Sequence, residues 1–126
     1  MTISPDDSSA EPIDKWEVQL RKGSLELAIL ASLWTGKLYG LEILRRLEER
    51  SGLIVPEATV YPLLNRLKAT GLVDAEWVSG TTGHPRKYYQ LTATGRRRAL
   101  EMARFWSKFS RNLDRVLAPL RKERPS

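Results

Sequence analysis

The sequence predicts a mainly α fold with one small β-hairpin (α+β): a winged helix-turn-helix with a long C-terminal helix. Three observations predict it. Segments with helical periodicity succeed one another up to residue 69, two alternating segments flank the turn-rich GTTGHP at 80–85, and an apolar heptad runs from Ala99 to Leu120. Helices followed by a basic hairpin give the order in which a winged helix-turn-helix sets its third helix in the major groove. The hairpin, or wing, then lies against phosphate or minor groove.

Each element has its own justification. MTISPDDSSAEP, residues 1–12, offers almost nothing to bury and reads as a disordered acidic tail. IDKWEVQLRK (13–22) places Ile13, Trp16 and Leu20 at helical spacing and predicts a short helix, interrupted by Gly23, with Ser24 as the cap of a second helix. That second helix, LELAILASLW (25–34), is apolar nearly all round, the mark of a helix buried on most sides. TGK (35–37) is a turn. YGLEILRRLEER (39–50) turns Gly40, Ile43, Leu44 and Leu47 inward and ends at Ser51-Gly52. In EATVYPLLNRLKA (57–69) Val60, Leu63, Leu64 and Leu67 form an apolar stripe, and Gly71 is a good stop residue.

LVDAEWVS (72–79) alternates with Val73, Ala75 and Trp77 on one face, and RKYYQLT (86–92) supplies the second strand. The last helix spans 93–120, with Thr92 or Thr94 as its cap. Its residues Ala99, Met102, Trp106, Phe109, Leu113, Val116 and Leu120 are spaced alternately by three and four, a seam that calls for a second copy of the chain. The expected organisation is a tail (1–12), a winged helix-turn-helix with its N-terminal helix (13–92), a dimerisation helix (93–120) and a flexible basic tail (121–126).

Composition narrows the function classes. With 126 residues the chain supports one domain of modest core. It has no cysteine and a single histidine, His84, so thiolate metal sites and disulfides are excluded and a histidine-based zinc site has no second ligand. No nucleophile–base pair or phosphate loop supports an enzyme, and no cofactor is expected. The longest apolar run is too short for a membrane span, and no leader opens the chain, so a cytoplasmic protein is expected. The formal charge is +6, and all 21 Lys and Arg come after residue 14, whereas four of the 15 acids lie within the first fourteen residues. A body this basic favours a polyanionic partner.

The candidate DNA-binding residues come from helix 57–69 and the wing. Opposite the apolar stripe lie Ala58, Pro62, Asn65 and Ala69, flanked by Thr59, Tyr61 and Arg66. Pro62 deletes a backbone donor; if the helix starts near Thr59 nothing is lost, and if at Glu57 one hydrogen bond is. Its ring then faces outward, where it can touch a thymine methyl or be only a tolerated early-turn proline. Asn65 and Arg66 can read adenine or guanine edges, or Arg66 can bind phosphate. Thr59 and Tyr61 near the positive helix end suit phosphate. His84, Arg86 and Lys87 at the wing suit the backbone. Arg96, Arg97 and Arg98 fit either DNA or a solvated face. Trp16, Trp34 and Trp77 read as core or interface residues. Trp106 is either a packed seam aromatic or a stacking plate for a flat apolar ligand held between subunits.

The stretches KGSLELAILASLWTGKLYGLEIL, EATVYPLLNRLKATGLV and GHPRKYYQLTATG, with the long helix after them, closely resemble the PadR-like transcriptional regulators, in particular the short subgroup with one C-terminal dimerisation helix. The resemblance covers roughly residues 16–118. It implies a homodimeric repressor that binds double-stranded DNA at an operator of dyad symmetry and is released by a small molecule or another signal. It also implies that Tyr61, its neighbours and the wing contact DNA, and that Trp106 stands where some drug-sensing relatives line a pore. Pairing through Trp16, Met102, Trp106, Phe109, Leu113, Val116 and Leu120 would build the dimer. The acidic tail departs from the pattern, as does Pro56, which stands where Ser or Asn commonly caps the recognition helix. The bulk of Phe105 and Phe109 would narrow any pore. Rival readings are a winged-helix protein-interaction module and a winged-helix regulator of another family, such as the multiple-antibiotic-resistance type.

Overall fold

The computed structural model describes residues 10–52, 54–80 and 83–122. In chain order the elements are α1 (Ala10–Ser32), β1 (Leu38–Tyr39), α2 (Gly40–Ser51), α3 (Glu57–Ala69), β2 (Val73–Val78), β3 (Arg86–Leu91) and α4 (Ala93–Arg121). The three strands form one antiparallel sheet in the order β1-β3-β2, with Leu38 opposite Tyr89 and Ala75 on the other side of Tyr89.

Two sequence expectations are corrected at the N-terminal side. Residues 13–32 are not two helices but most of one, which stops two residues short of the expected end, and α1 begins at Ala10, inside the span expected to be an unstructured tail. The expected interruption fails because Ser24 does not cap. Its hydroxyl instead donates back to the carbonyl of Leu20 at 2.9 Å, a bond compatible with a continuing helix. Gly23 then costs about 1 kcal/mol of helix propensity, which burial of the second half of α1 outweighs. The rest of the tail, residues 1–9, lies outside the described residues, as do 123–126 of the expected basic tail.

The core gathers the apolar stripes. Ile29 and Leu30 of α1, with Leu33 in the turn after it, meet Ile43 and Leu47 of α2 and Val60, Leu64 and Leu67 of α3, with Leu72, Val73, Tyr89 and Ala99 closing the cluster. The tryptophans stay out of it: Trp16 is 60% exposed and Trp77 68%, and Trp34 lies at the surface. Trp34 is covered on one side by Arg96, whose guanidinium sits 4.6 Å from the ring centre and donates to the Trp34 carbonyl at 3.1 Å. That contact gives Arg96 a structural partner.

Turns fix how the elements meet. Gly52 (φ 72°) closes α2. At the end of α3, Gly71 (φ 78°) donates to the Lys68 carbonyl and Leu72 to the Leu67 carbonyl, the paired bonds of a Schellman stop. The same turn receives α4. The Thr92 hydroxyl donates to the Gly71 carbonyl at 2.7 Å and accepts from the Gly95 amide at 2.9 Å, so it caps α4 while tying it to the α3–β2 turn. Gly95 is obligatory there, since a Cβ would lie 2.9 Å from the Leu72 carbonyl carbon.

Candidate nucleic-acid interface

α3 begins at Glu57, so Pro62 is its sixth residue and the longer of the two starts considered from sequence holds. The Pro56 carbonyl accepts from Thr59 and Val60 at 2.9 and 3.2 Å, but no side chain caps the helix. Pro62 has no N–H to offer the Ala58 carbonyl, so one bond is lost on the exposed face. Ala58, Pro62, Asn65 and Ala69 are all exposed, as their position opposite Val60, Leu64 and Leu67 requires.

Tyr61 is placed by a glycine. Its ring lies across Gly40 at the start of α2, where an added Cβ would fall 2.6 and 2.7 Å from ring carbons Cε1 and Cζ. From there Tyr61 borders a groove of about 470 Å³ between α3 and the sheet, shared with Asn65, Arg86 and Lys87. Tyr39, Trp77 and Tyr89 supply its aromatic wall. The register explains Trp77 and Tyr89: Tyr89, Lys87, Ala75 and Trp77 alternate onto the sheet face that covers the core, and beyond Ala75 that face runs out past the core, whereas Tyr39, opposite Tyr88, alternates onto the other face. Lys87 Nζ is 5.8 Å from both the Trp77 and Tyr89 ring centres, and the Arg86 guanidinium is 4.6 Å from the Tyr39 ring. These cation–π contacts hold two positive charges over the groove without neutralising them. Burial raises the Tyr89 phenol above its usual value, and the neighbouring Tyr61 adds to the rise, so Tyr89 stays a neutral wall.

The other expected site residues are elsewhere. Thr59, Pro62 and Arg66 line a second groove, of about 580 Å³, facing α1. Arg66 is ion-paired with Glu26 of α1, which turns its charge away from the wing. His84 is exposed in the wing turn beside Gly83 and borders neither groove. Residues 81 and 82 of that turn are not among those described. Sequence reasoning missed Tyr39, Trp77 and Tyr89 as members of the groove. Alternation put Trp77 on the inward face; what it could not show is that the strand outruns the core. Trp106, with Leu20, Leu27, Met102, Phe105 and Phe109, lines a third space of about 600 Å³ between α1 and α4.

A helix with an exposed face of small residues and Asn65 beside a cationic hairpin, on a three-helix core, defines a winged helix-turn-helix DNA-binding protein. Residues 29–101 match the transcriptional regulator PadR-like family, and the chain belongs to that family. Its fold is similar to a PadR-like transcription factor from Bacteroides fragilis, 39% identical with a TM-score of 0.69, covering 81% of this chain and 98% of that one. A PadR family transcriptional regulator from Eggerthella lenta is 30% identical with a TM-score of 0.75, over 86% and 94% of the two chains. A PadR-like transcriptional regulator from Bacillus cereus is also 30% identical, with a TM-score of 0.69 over 79% and 96%. Among the described residues no helix is long and apolar enough to cross a membrane.

Proposed function

We propose that this transcriptional regulator is a cytoplasmic homodimeric repressor that binds an operator of dyad symmetry and leaves it on a signal. The observation that carries the reading is the convergence of Tyr61, Asn65, Arg86 and Lys87 on one groove between α3 and the wing. Asn65 reads a base edge, while Arg86 and Lys87 hold phosphate, with His84 as an outlying wing contact. Tyr61 donates its hydroxyl to the backbone at the entrance of the groove. Arg66 and Thr59 act only where DNA extends toward α1, and Arg66 must first leave Glu26.

Dimerisation is supported by what α4 leaves uncovered. Trp106, Phe109, Leu113, Val116 and Leu120 are all more than 40% exposed, a heptad seam without a cover in the single chain. Trp16 of α1 is exposed as well. The apolar space around Trp106 supports a flat apolar effector as the releasing signal, for Phe105 and Phe109 stack on each other at 5.9 Å without filling it.

The test is fluorescence anisotropy with duplex from upstream of the coding region against a scrambled duplex, over a salt series. The expected preference for the native duplex is on the order of a thousandfold at physiological salt. Asn65→Ala should erase most of that preference, whereas Lys87→Ala should weaken both duplexes alike and lower the salt slope by about one. Equal, salt-insensitive and weak binding of both duplexes by the unmodified protein would instead favour a protein-interaction module.

A further inference from the structure

α4 and its C-cap Lys122 carry a second periodic pattern besides the apolar seam. Arg97, Arg104, Lys108, Arg111, Arg115 and Lys122 succeed one another at intervals of seven, four, three, four and seven. At 3.6 residues per turn these intervals keep all six on one side of the helix, opposite Met102, Trp106 and Leu113. All six are exposed, and among the described residues none makes an ion pair. The two acids of α4 do not serve them: Asp114 pairs with Arg121 at 2.9 Å, and Glu101 borders the space against α1. None of the six borders the groove between α3 and the wing.

Such a stripe opposes helix formation. Arg104–Lys108 and Arg111–Arg115 are like charges four apart, and Lys108–Arg111 three apart, and each such pair disfavours the helix. A face that only needs to be wet is served equally well by mixed signs, which would stabilise the helix. From Arg97 to Lys122 the stripe extends roughly 37 Å at 1.5 Å per residue, close to the 34–36 Å of one turn of duplex DNA. The apolar residues on that side, the exposed Leu100 and the small Ala118, are too few to embed the helix in a lipid surface.

We infer that the outer face of α4 is a second DNA-binding surface, which takes the phosphate backbone of a duplex without reading its sequence. The inference rests on the reading of α3 and the wing as the operator site, since a second surface has meaning only beside a first. One protein then holds an operator on its wings and another stretch of duplex along α4. The chemistry is counterion release by a row of cations, so it fades steeply with salt.

The experiment uses the full chain bound to a bead-immobilised upstream duplex, washed, then offered a fluorescent unrelated 40-base-pair duplex over a salt series. Three proteins are compared: unmodified, the stripe variant (Arg104→Gln, Lys108→Gln, Arg111→Gln, Arg115→Gln) and a groove variant (Asn65→Ala, Lys87→Ala). The unmodified protein should capture the second duplex. The stripe variant should stay on the bead yet capture at least tenfold less, with a log–log salt slope shallower by about three to four. Exposed Gln suits a helix, so its melting temperature should be equal or higher, which excludes misfolding as the cause. Equal capture by the stripe variant overturns the inference, the second duplex then being held by the wings. If the unmodified protein captures nothing but sediments with phosphatidylglycerol vesicles through the stripe, the inference is also overturned, in favour of a membrane. Failure of the operator reading shows differently: the groove variant would be retained on the bead as well as the unmodified protein.

Discussion

Gly40 and Gly95 both meet neighbours in the space a Cβ would take, and the neighbours differ in kind. At Gly40 the obstruction is the outer end of the Tyr61 ring, which can swing into solvent. Gly40→Ala should therefore lower stability by only about 1 kcal/mol. It should reduce operator affinity far more, by roughly tenfold or more, because the displaced ring no longer borders the groove. At Gly95 the obstruction is the Leu72 backbone, which cannot move without shifting the end of α3. Gly95→Ala should cost on the order of 3 kcal/mol, read as a drop in thermal midpoint. A larger stability loss at Gly40 than at Gly95 would contradict this difference in kind. Pro62 is the converse case. Pro62→Ala restores a donor in an exposed helix and should stabilise the protein by about 1–3 kcal/mol. If operator affinity falls at the same time, the ring touches DNA; unchanged affinity would mark it as merely tolerated. Tyr89 adds a pH effect. Its raised phenol means that the folded chain keeps the proton longer than the unfolded chain. Stability is thus whole below about pH 10 and declines as pH rises through the folded value. Tyr89→Phe should flatten that alkaline decline in urea titrations; an unchanged slope would assign it to other groups.

At the scale of elements, α4 is the part most exposed to test. Leu113→Asp places a charge in the apolar seam. It should convert the protein to a monomer by sedimentation equilibrium while leaving its helical circular dichroism nearly intact. A dimer that survives Leu113→Asp and Phe109→Asp together would move the interface off α4. The long elements are legible in the sequence because their signals repeat: the stripe of α3, the heptad of α4 and the alternation of β2 and β3 each recur several times. What is not legible lacks repetition or depends on distant partners. β1 has two residues, too few to alternate, and exists only because β3 offers an unpaired edge. Gly23-Ser24 reads as a break because the same residues can cap a helix or continue one, and burial of Leu25, Ile29 and Leu30 decides between them. Of the groove that forms the candidate site, Tyr61, Asn65, Arg86 and Lys87 are readable from the helix wheel and the wing. That Arg66 and Thr59 fall on the far groove depends on where α1 packs, which no local pattern records.

At the scale of the whole molecule, the joint between α3 and α4 has a consequence for regulation. Thr92 and Gly95 bind the start of α4 to the turn that ends α3, with a further amide bond from Thr92 to the Leu72 carbonyl at 3.2 Å. No free linker separates the candidate reading head from the helix proposed to meet a second copy. In the proposed dimer the distance between two reading heads is therefore geared directly to the angle at which the two long helices cross. A ligand that wedges Trp106 from its neighbours need not reach the DNA face at all. By opening the crossing a few degrees, such an effector would detune the proposed pair from the pitch of the duplex, and two good half-contacts could no longer be made at once.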